Sequence, residues 1–145
     1  MVKISLKNLT IFAVLVSLVT GLVVTGGCAV SETPAQIIKD VTPQEAFTLI
    51  QENENNPDFV IIDVRTPEEF ADGHIENAVN IDFRSETFRG ELNKLDKNKT
   101  YLIYCRSGNR SRSALDIMEE LKFREVYHLS VGIIGWNEEG LPTVK

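Results

Sequence analysis

The stretch that decides the fold runs Tyr101-Leu102-Ile103-Tyr104-Cys105-Arg106-Ser107-Gly108-Asn109-Arg110-Ser111. Its first four residues form an apolar run of strand length, and a polar loop follows them. Beyond the loop, Ala114, Leu115 and Met118 recur with the spacing of one helical face. The segment therefore predicts a strand, a loop and a helix in succession, with Cys105 at the carboxyl end of the strand.

Strands and helices alternate along the rest of the chain from residue 37. Apolar runs predict strands over 37–41, 59–62, 78–81, 101–104 and 126–129. Helices are predicted after the capping signals at Thr42 and Thr66, over 83–95, around 114–121 and over 133–139. This alternation predicts an α/β fold, a mostly parallel five-stranded sheet flanked by helices on both faces. In such sheets ligands bind beyond the carboxyl ends of the strands, which is where Cys105 lies.

The loop after Cys105 has the composition of an anion-binding cradle. Gly108 and Asn109 tolerate the positive φ angles that a tight loop requires, so successive backbone N–H groups can point inward. The positive end of the following helix dipole is expected to lower the pKa of the thiol and to favour the reactive thiolate. We therefore predict that Cys105 is a nucleophile rather than a buried structural cysteine.

The charge distribution favours a small anionic ligand and disfavours nucleic acid. The chain has 15 Lys and Arg against 21 Asp and Glu, a net charge of −6, which is the wrong sign for general nucleic-acid binding. Because Arg binds oxyanions in bidentate geometry, a purely basic stretch inside this acidic chain predicts an anionic substrate. That stretch lies between Asp96 and Asp116 and contains Lys97, Lys99, Arg106, Arg110 and Arg112.

The first residues have the pattern of a secretory signal. Lys3 and Lys7 precede an uncharged, largely apolar run that is long enough to span a bilayer. Cys28 follows small residues, as in the lipobox of lipoproteins, so a lipidated Cys28 is favoured over an uncleaved transmembrane anchor and over simple secretion. All three alternatives place the rest of the chain outside the cytoplasm, and the two early lysines agree with that orientation.

This interpretation divides the chain into three parts. We expect a signal peptide or membrane anchor over 1–27, a tether over 28–36 and a folded domain over 37–145. Cys28 and Cys105 are the two cysteines of the chain, too few for a disulfide framework or a cysteine-based zinc site.

Three stretches of the folded part carry a resemblance to a known family. They are Ile61-Ile62-Asp63-Val64-Arg65 with Pro67-Glu68-Glu69-Phe70, Gly73-His74-Ile75 with Ala78, and the loop from Cys105 to Arg110. Together they resemble the rhodanese (thiosulfate sulfurtransferase) family in its single-domain form, over about residues 37–145. The resemblance implies a rhodanese-like α/β fold.

The same resemblance implies a sulfur-transfer cycle on Cys105. The thiolate would attack the outer sulfur of an anionic donor such as thiosulfate, releasing sulfite and leaving a persulfide. A thiol or cyanide acceptor would then remove that sulfur, without a cofactor or a metal. The residues expected to bind the donor and the persulfide are Arg106, Ser107, Gly108, Asn109 and Arg110.

Other residues are expected to have supporting roles. Asp63 and Arg65, at the end of an adjacent strand, would brace the fold through charge-assisted hydrogen bonds. His74 is expected to make structural hydrogen bonds beside a glycine turn, and His128 and Trp136 to pack in the core.

Two other functions remain open. Phosphatases and arsenate reductases related to this fold have a cysteine loop one residue longer, and the shorter loop here suits a single sulfur better than a tetrahedral phosphate. A non-catalytic or sulfur-carrier module that binds an extracytoplasmic partner protein is the other alternative, and the sequence does not name that partner.

Replacing Cys28 with Ser tests the interpretation of the N-terminal segment. If Cys28 is lipidated, Cys28→Ser should block lipidation and signal cleavage together and leave a heavier, unprocessed chain in the membrane. Intact mass of membrane-extracted protein distinguishes this from a plain anchor, for which both chains would retain residues 1–27. A wild-type chain that still begins near Met1 would refute lipidation.

Overall fold

The computed structural model describes residues 35–145. The predictions on the signal segment, on lipidated Cys28 and on most of the tether lie outside the described residues. Within residues 35–145, no helix is both long enough and apolar enough to cross a membrane.

A single five-stranded sheet forms the centre of the described part of the chain, and its order is β1-β5-β4-β2-β3. All four neighbouring pairs are parallel, so the predicted α/β sheet is confirmed. The strands are β1 (Ile37–Val41), β2 (Phe59–Asp63), β3 (Val79–Asn80), β4 (Thr100–Tyr104) and β5 (Glu125–Leu129).

Five helices connect or follow these strands among the described residues. They are α1 (Pro43–Glu52), α2 (Pro67–Ala71), α3 (Phe88–Lys94), α4 (Asn109–Glu120) and α5 (Gly132–Glu138). The capping signals at Thr42 and Thr66 are confirmed. Each threonine hydroxyl accepts from the third helical N–H, and the glutamate at that position accepts from the threonine N–H.

Apolar side chains pack on both faces of the sheet, and β4 contributes to both layers. Tyr101 and Ile103 belong to the cluster that includes buried residues of α3 and α4. Leu102 and Tyr104 belong to the cluster on the opposite face, with buried residues of α1 and α5. Because β4 is covered on both sides, its sequence is continuously apolar rather than alternating.

The structure corrects two predicted boundaries between β2 and β4. The strand predicted over 78–81 has only two residues, and the helix predicted over 83–95 begins at Phe88. The preceding residues form turns instead, because the side chains of Asp82 and Ser85 accept hydrogen bonds from the N–H groups of Arg84 and Thr87. Gly90 lies inside α3 without interrupting it.

A buried ion pair joins the end of β2 to the turn after α2. The Arg65 guanidinium donates to both carboxylate oxygens of Asp63, with Nη2–Oδ2 at 2.6 Å, and to the carbonyl of Gly73 at 2.7 Å. The Asp63 side chain is fully buried and that of Arg65 is 7% exposed. These are the charge-assisted hydrogen bonds through which the two residues are predicted to brace the fold.

Removing one partner of this pair should be costly. Asp63→Ala leaves the Arg65 charge buried without its counter-ion, and we expect a loss of about 3–5 kcal/mol in the free energy of unfolding. Urea denaturation measures it. Glu120→Ala is the matched control, because the Arg89–Glu120 pair is exposed on both sides and should contribute less than about 1 kcal/mol. Equal losses for the two variants would contradict the bracing role.

Candidate active site

Cys105 lies directly after β4, at the carboxyl edge of the sheet, and the whole residue is only 1% exposed. Its Sγ accepts a hydrogen bond from the Gly108 N–H at 3.2 Å and from the Ser111 hydroxyl at 3.4 Å. Burial raises the pKa of the thiol, but the hydrogen bonds from Ser111, Ser107 and Gly108 outweigh it and lower the pKa below its ordinary value. The loop therefore favours a thiolate.

Two glycines allow this loop to close tightly around the sulfur. Gly108 has φ of 92°, and a Cβ there would lie 1.9 Å from the carbonyl oxygen of Ser130. Gly132 has φ of 62°, and a Cβ there would lie 2.5 Å from the carbonyl oxygen of Arg106. Side chains at either position would push the loop and the start of α5 apart.

The positive φ angle expected for the loop is present at Gly108 alone. Asn109 is also a residue type that tolerates a positive φ, but it is the first residue of α4 and its φ is not positive. The N-terminus of α4 therefore begins immediately beside the cradle.

A pocket of about 390 Å³ opens above the thiol. Four of the five predicted binding residues line it, namely Arg106, Ser107, Asn109 and Arg110, and the fifth, Gly108, contributes its N–H to the sulfur. The pocket also includes Glu69, Phe83 and Arg84, which the sequence analysis did not assign to the site.

Arg110 is held by a carboxylate. Its two terminal nitrogens donate to the two carboxylate oxygens of Glu69 at 2.6 and 2.8 Å. The Arg110 hydrogen bond holds the pKa of Glu69 at about 2, so this carboxylate remains charged at neutral pH and the pair persists. Arg110 therefore brings charge to the pocket. However, its guanidinium group, which is predicted to bind the donor, is already bound to the Glu69 carboxylate.

The basic stretch around the loop does not form one patch. Lys97 donates to three carbonyls at and after the end of α3, Lys99 pairs with Asp58, and Arg112 pairs with Asp40. Within residues 35–145, the guanidinium groups of Arg106 and Arg84 make no hydrogen bond or ion pair with protein atoms, and both side chains are exposed at the pocket. Among the described residues that line the pocket, Arg106 and Arg84 are therefore the cations available to bind an anion.

Both histidines of the chain lie in the described part, and neither lines the pocket. His74 stacks on Phe70 and bonds through Nδ1 to its carbonyl at 3.0 Å, which confirms the predicted structural role. His128 is buried in the core as predicted, and its ring also links Asp40 to Ser111 by hydrogen bonds of 2.9 Å on each nitrogen. Trp136 is buried as predicted.

Replacing Glu69 with Gln should strengthen the positive field at Cys105. The amide preserves the shape of the side chain but removes the charge that neutralises Arg110. We expect alkylation of Cys105 by anionic iodoacetate, relative to neutral iodoacetamide, to accelerate roughly three- to tenfold. Glu68→Gln is the control, because this exposed neighbour in the same helical turn does not line the pocket. If the ratio of the iodoacetate rate to the iodoacetamide rate is unchanged in Glu69→Gln, the Glu69–Arg110 pair does not control the electrostatic field at Cys105.

Sequence comparison places these features in a family. The chain matches the family model described as the Rhodanese-like domain over residues 34–139. It is similar to a sulfurtransferase of Allochromatium vinosum, with 34% identity over 100 residues that cover 69% of this chain and 92% of that protein. It is also similar to a tRNA uridine(34) hydroxylase of Buchnera aphidicola, with 39% identity over 62% of this chain. The chain spans only 30% of the length of that hydroxylase.

A solved structure agrees with the sequence matches. The crystal structure of a rhodanese-like domain protein from Staphylococcus aureus superposes with a TM-score of 0.60 at 33% identity, over 74% of this chain and 99% of that one. With its parallel sheet, its cysteine loop and these matches, the chain belongs to the rhodanese-like domain family.

Proposed function

We propose that the protein is a sulfurtransferase that moves a sulfane sulfur from an anionic donor such as thiosulfate to a thiophilic acceptor, through a persulfide on Cys105. The observation that carries the proposal is the cradle around the sulfur, in which an N–H and an O–H point at Sγ from 3.2 and 3.4 Å. Donors arranged in this way stabilise negative charge on sulfur before the reaction begins.

The first half-reaction forms the persulfide. The Cys105 thiolate attacks the outer sulfur of thiosulfate, and the sulfur–sulfur bond of the donor breaks with both electrons leaving on sulfite. The lowered pKa of Cys105 supports this step, because the thiolate is the nucleophilic form. In the second half-reaction, cyanide or a thiol attacks the terminal sulfur and returns Cys105 to the thiolate. A covalent intermediate of this kind predicts ping-pong kinetics.

The length of the loop supports sulfur rather than phosphate as the transferred group. Ser111 stands one position beyond Arg110, where the longer loops of related phosphatases would still continue. In this chain Ser111 is fully buried, and its hydroxyl oxygen lies 3.4 Å from Sγ and 3.1 Å from the carbonyl oxygen of Gly108. The cradle is therefore closed around one sulfur atom, and the Arg110 fork is bound to Glu69 rather than free to bind phosphate oxygens.

Binding of the donor is assigned chiefly to Arg106 and Arg84. Both side chains reach the pocket, and their guanidinium groups have no counter-ion among residues 35–145. Arg pairs with oxyanions through two parallel N–H···O bonds, which fits the sulfonate end of thiosulfate. Arg110 is not assigned to bind the donor. It places a charge close to the thiol and orients the loop through its ion pair with Glu69.

We also propose that the protein works outside the cytoplasm, attached to the cell membrane through its first residues. The support is the sequence alone: two early lysines, an uncharged apolar run and Cys28 after small residues. The acidic balance of the chain disfavours an electrostatic hold on anionic lipids, so the attachment rests on a lipid at Cys28 or on the apolar run.

Steady-state thiosulfate:cyanide sulfurtransferase assays test the proposed function. Cys105→Ser should abolish turnover while leaving circular dichroism unchanged, because serine matches the shape of cysteine but is a far weaker nucleophile. Arg106→Ala should raise the KM for thiosulfate by roughly tenfold, the loss of one charge-assisted contact. Arg124→Ala is the matched control, since this exposed arginine precedes β5 at the opposite edge of the sheet.

Two results would overturn these assignments. Turnover in Cys105→Ser near the wild-type rate would exclude the persulfide mechanism. Equal KM values for Arg106→Ala and Arg124→Ala would show that Arg106 does not bind the donor. The KM of Arg84→Ala would then show whether Arg84 binds it.

A further inference from the structure

A chain of hydrogen bonds leads from the Cys105 sulfur to the buried ring of His128 and, beyond it, to the half-exposed carboxylate of Asp40. The Ser111 hydroxyl lies 3.4 Å from Sγ and 2.9 Å from His128 Nε2. The other ring nitrogen, Nδ1, lies 2.9 Å from Asp40 Oδ1. Ser111 and His128 are almost completely buried, and together the four side chains cross from α4 to β5 and β1 behind the cysteine loop.

Counting protons along this chain leaves two arrangements. The Asp40 carboxylate is an acceptor only, so His128 Nδ1 carries a proton in both. If Nε2 carries none, it accepts the single Ser111 proton, and the hydroxyl cannot donate to Sγ. If Nε2 is protonated, it donates to Ser111, and the hydroxyl proton is free to point at Sγ or at the Gly108 carbonyl, 3.1 Å away. A proton on His128 Nε2 is therefore required before the Ser111 hydroxyl can donate to the sulfur.

We propose that Ser111 and His128 form a proton relay that takes the proton of the Cys105 thiol and keeps the thiolate hydrogen-bonded. The proposal rests on the proposed function, since it concerns how the sulfur nucleophile is generated. Ser111 contacts the reacting sulfur. His128 acts through Ser111 and is a positioning residue.

The step is a balanced proton transfer without displacement of heavy atoms. The S–H bond of Cys105 breaks and its proton passes to Ser111 Oγ, while the Ser111 proton passes to His128 Nε2. The products are a thiolate, a neutral serine and an imidazolium. The positive charge of the buried imidazolium is paired with the Asp40 carboxylate, so the transfer does not leave that charge without a counter-ion.

Groups from β1, β4 and α4 face the His128 ring. On β1 it faces Asp40, and on the other side of β5 its neighbour in β4 is the apolar Ile103. From α4 it faces Ser111, while Arg112 of the same helix pairs with the second oxygen of Asp40. Hydrogen bonds from Arg112 and His128 lower the pKa of Asp40, so that carboxylate stays ionised at neutral pH. Apart from Asp40, Arg112 and Cys105, no ionisable side chain among residues 35–145 bonds to the relay or to Asp40.

The pH dependence of Cys105 alkylation by iodoacetamide tests the relay. Ser111→Ala and His128→Gln should each move the midpoint of the alkylation rate upward by about one pH unit, a tenfold change in the thiol equilibrium. The double variant should shift no further than either single one, because both interrupt the same chain. Activity with thiosulfate should fall at pH 6 and recover towards wild type at pH 9. A loss equal at both pH values would mark a merely structural role and overturn the proposal.

Nuclear magnetic resonance of the histidine rings provides a second readout that does not use Ser111 or His128 variants. The chain has two histidines, so His74→Gln assigns the ring signals and also serves as the control whose alkylation midpoint should not move. At neutral pH both ring nitrogens of His128 should carry protons in the wild type, and Nε2 should lose its proton in Cys105→Ser. Identical ring ¹⁵N shifts in both proteins would overturn the relay.

These outcomes separate the relay from the proposed function. Alkylation and ring ¹⁵N shifts report on the thiolate without any sulfur donor. A shifted midpoint without sulfurtransferase activity would leave the relay standing and refute the function. Sulfurtransferase activity with unshifted alkylation midpoints would leave the proposed function standing and refute the relay.

Discussion

The close passage of two backbone segments at the carboxyl edge of the sheet is the constraint on which the site depends. Gly108 in a left-handed conformation lies against the Ser130 carbonyl, where a Cβ would come within 1.9 Å, and a Cβ at Gly132 would come within 2.5 Å of the Arg106 carbonyl. The N–H groups of Ile133 and Ile134 then bind the carbonyls of Cys105 and Arg106, at 2.9 and 3.1 Å. The loop's carbonyls are thereby turned towards α5, and its N–H groups are left to face the sulfur.

The charges around this loop are arranged so that few cations remain for a ligand. Arg110 and Arg112 each bind a carboxylate from a distant part of the chain, and Arg65 binds the nearby Asp63. The two long-range pairs hold the end of β1 and the helix α2 against the start of α4. The result is a small pocket with a buried thiol at its base and exposed guanidinium groups at its mouth, which fits a small anion better than a large one.

Local signals in the sequence predicted most of the fold, and contacts between distant residues account for the rest. Strands with continuous apolar runs and helices with Thr-Pro-x-Glu starts are determined by neighbouring residues, so they were predicted correctly. The helix predicted to begin at Phe83 begins at Phe88 instead, because the side chains of Asp82 and Ser85 accept hydrogen bonds from nearby N–H groups. The hydrophobic periodicity of the sequence does not reveal such hydrogen bonds. The Glu69–Arg110 and Asp40–His128 contacts join residues 41 and 88 positions apart, so no local pattern could reveal them. Cys105 was recognisable because its loop is local.

If Cys105 carries the transferred sulfur as a persulfide, incubation with thiosulfate should change the mass of the protein. The wild-type chain should gain the mass of one sulfur atom, located by peptide mapping on Cys105 and removed by cyanide. The Cys105→Ser chain, which keeps Cys28, should gain nothing. A wild-type chain without the added sulfur, or one that carries it on a residue other than Cys105, would contradict the account.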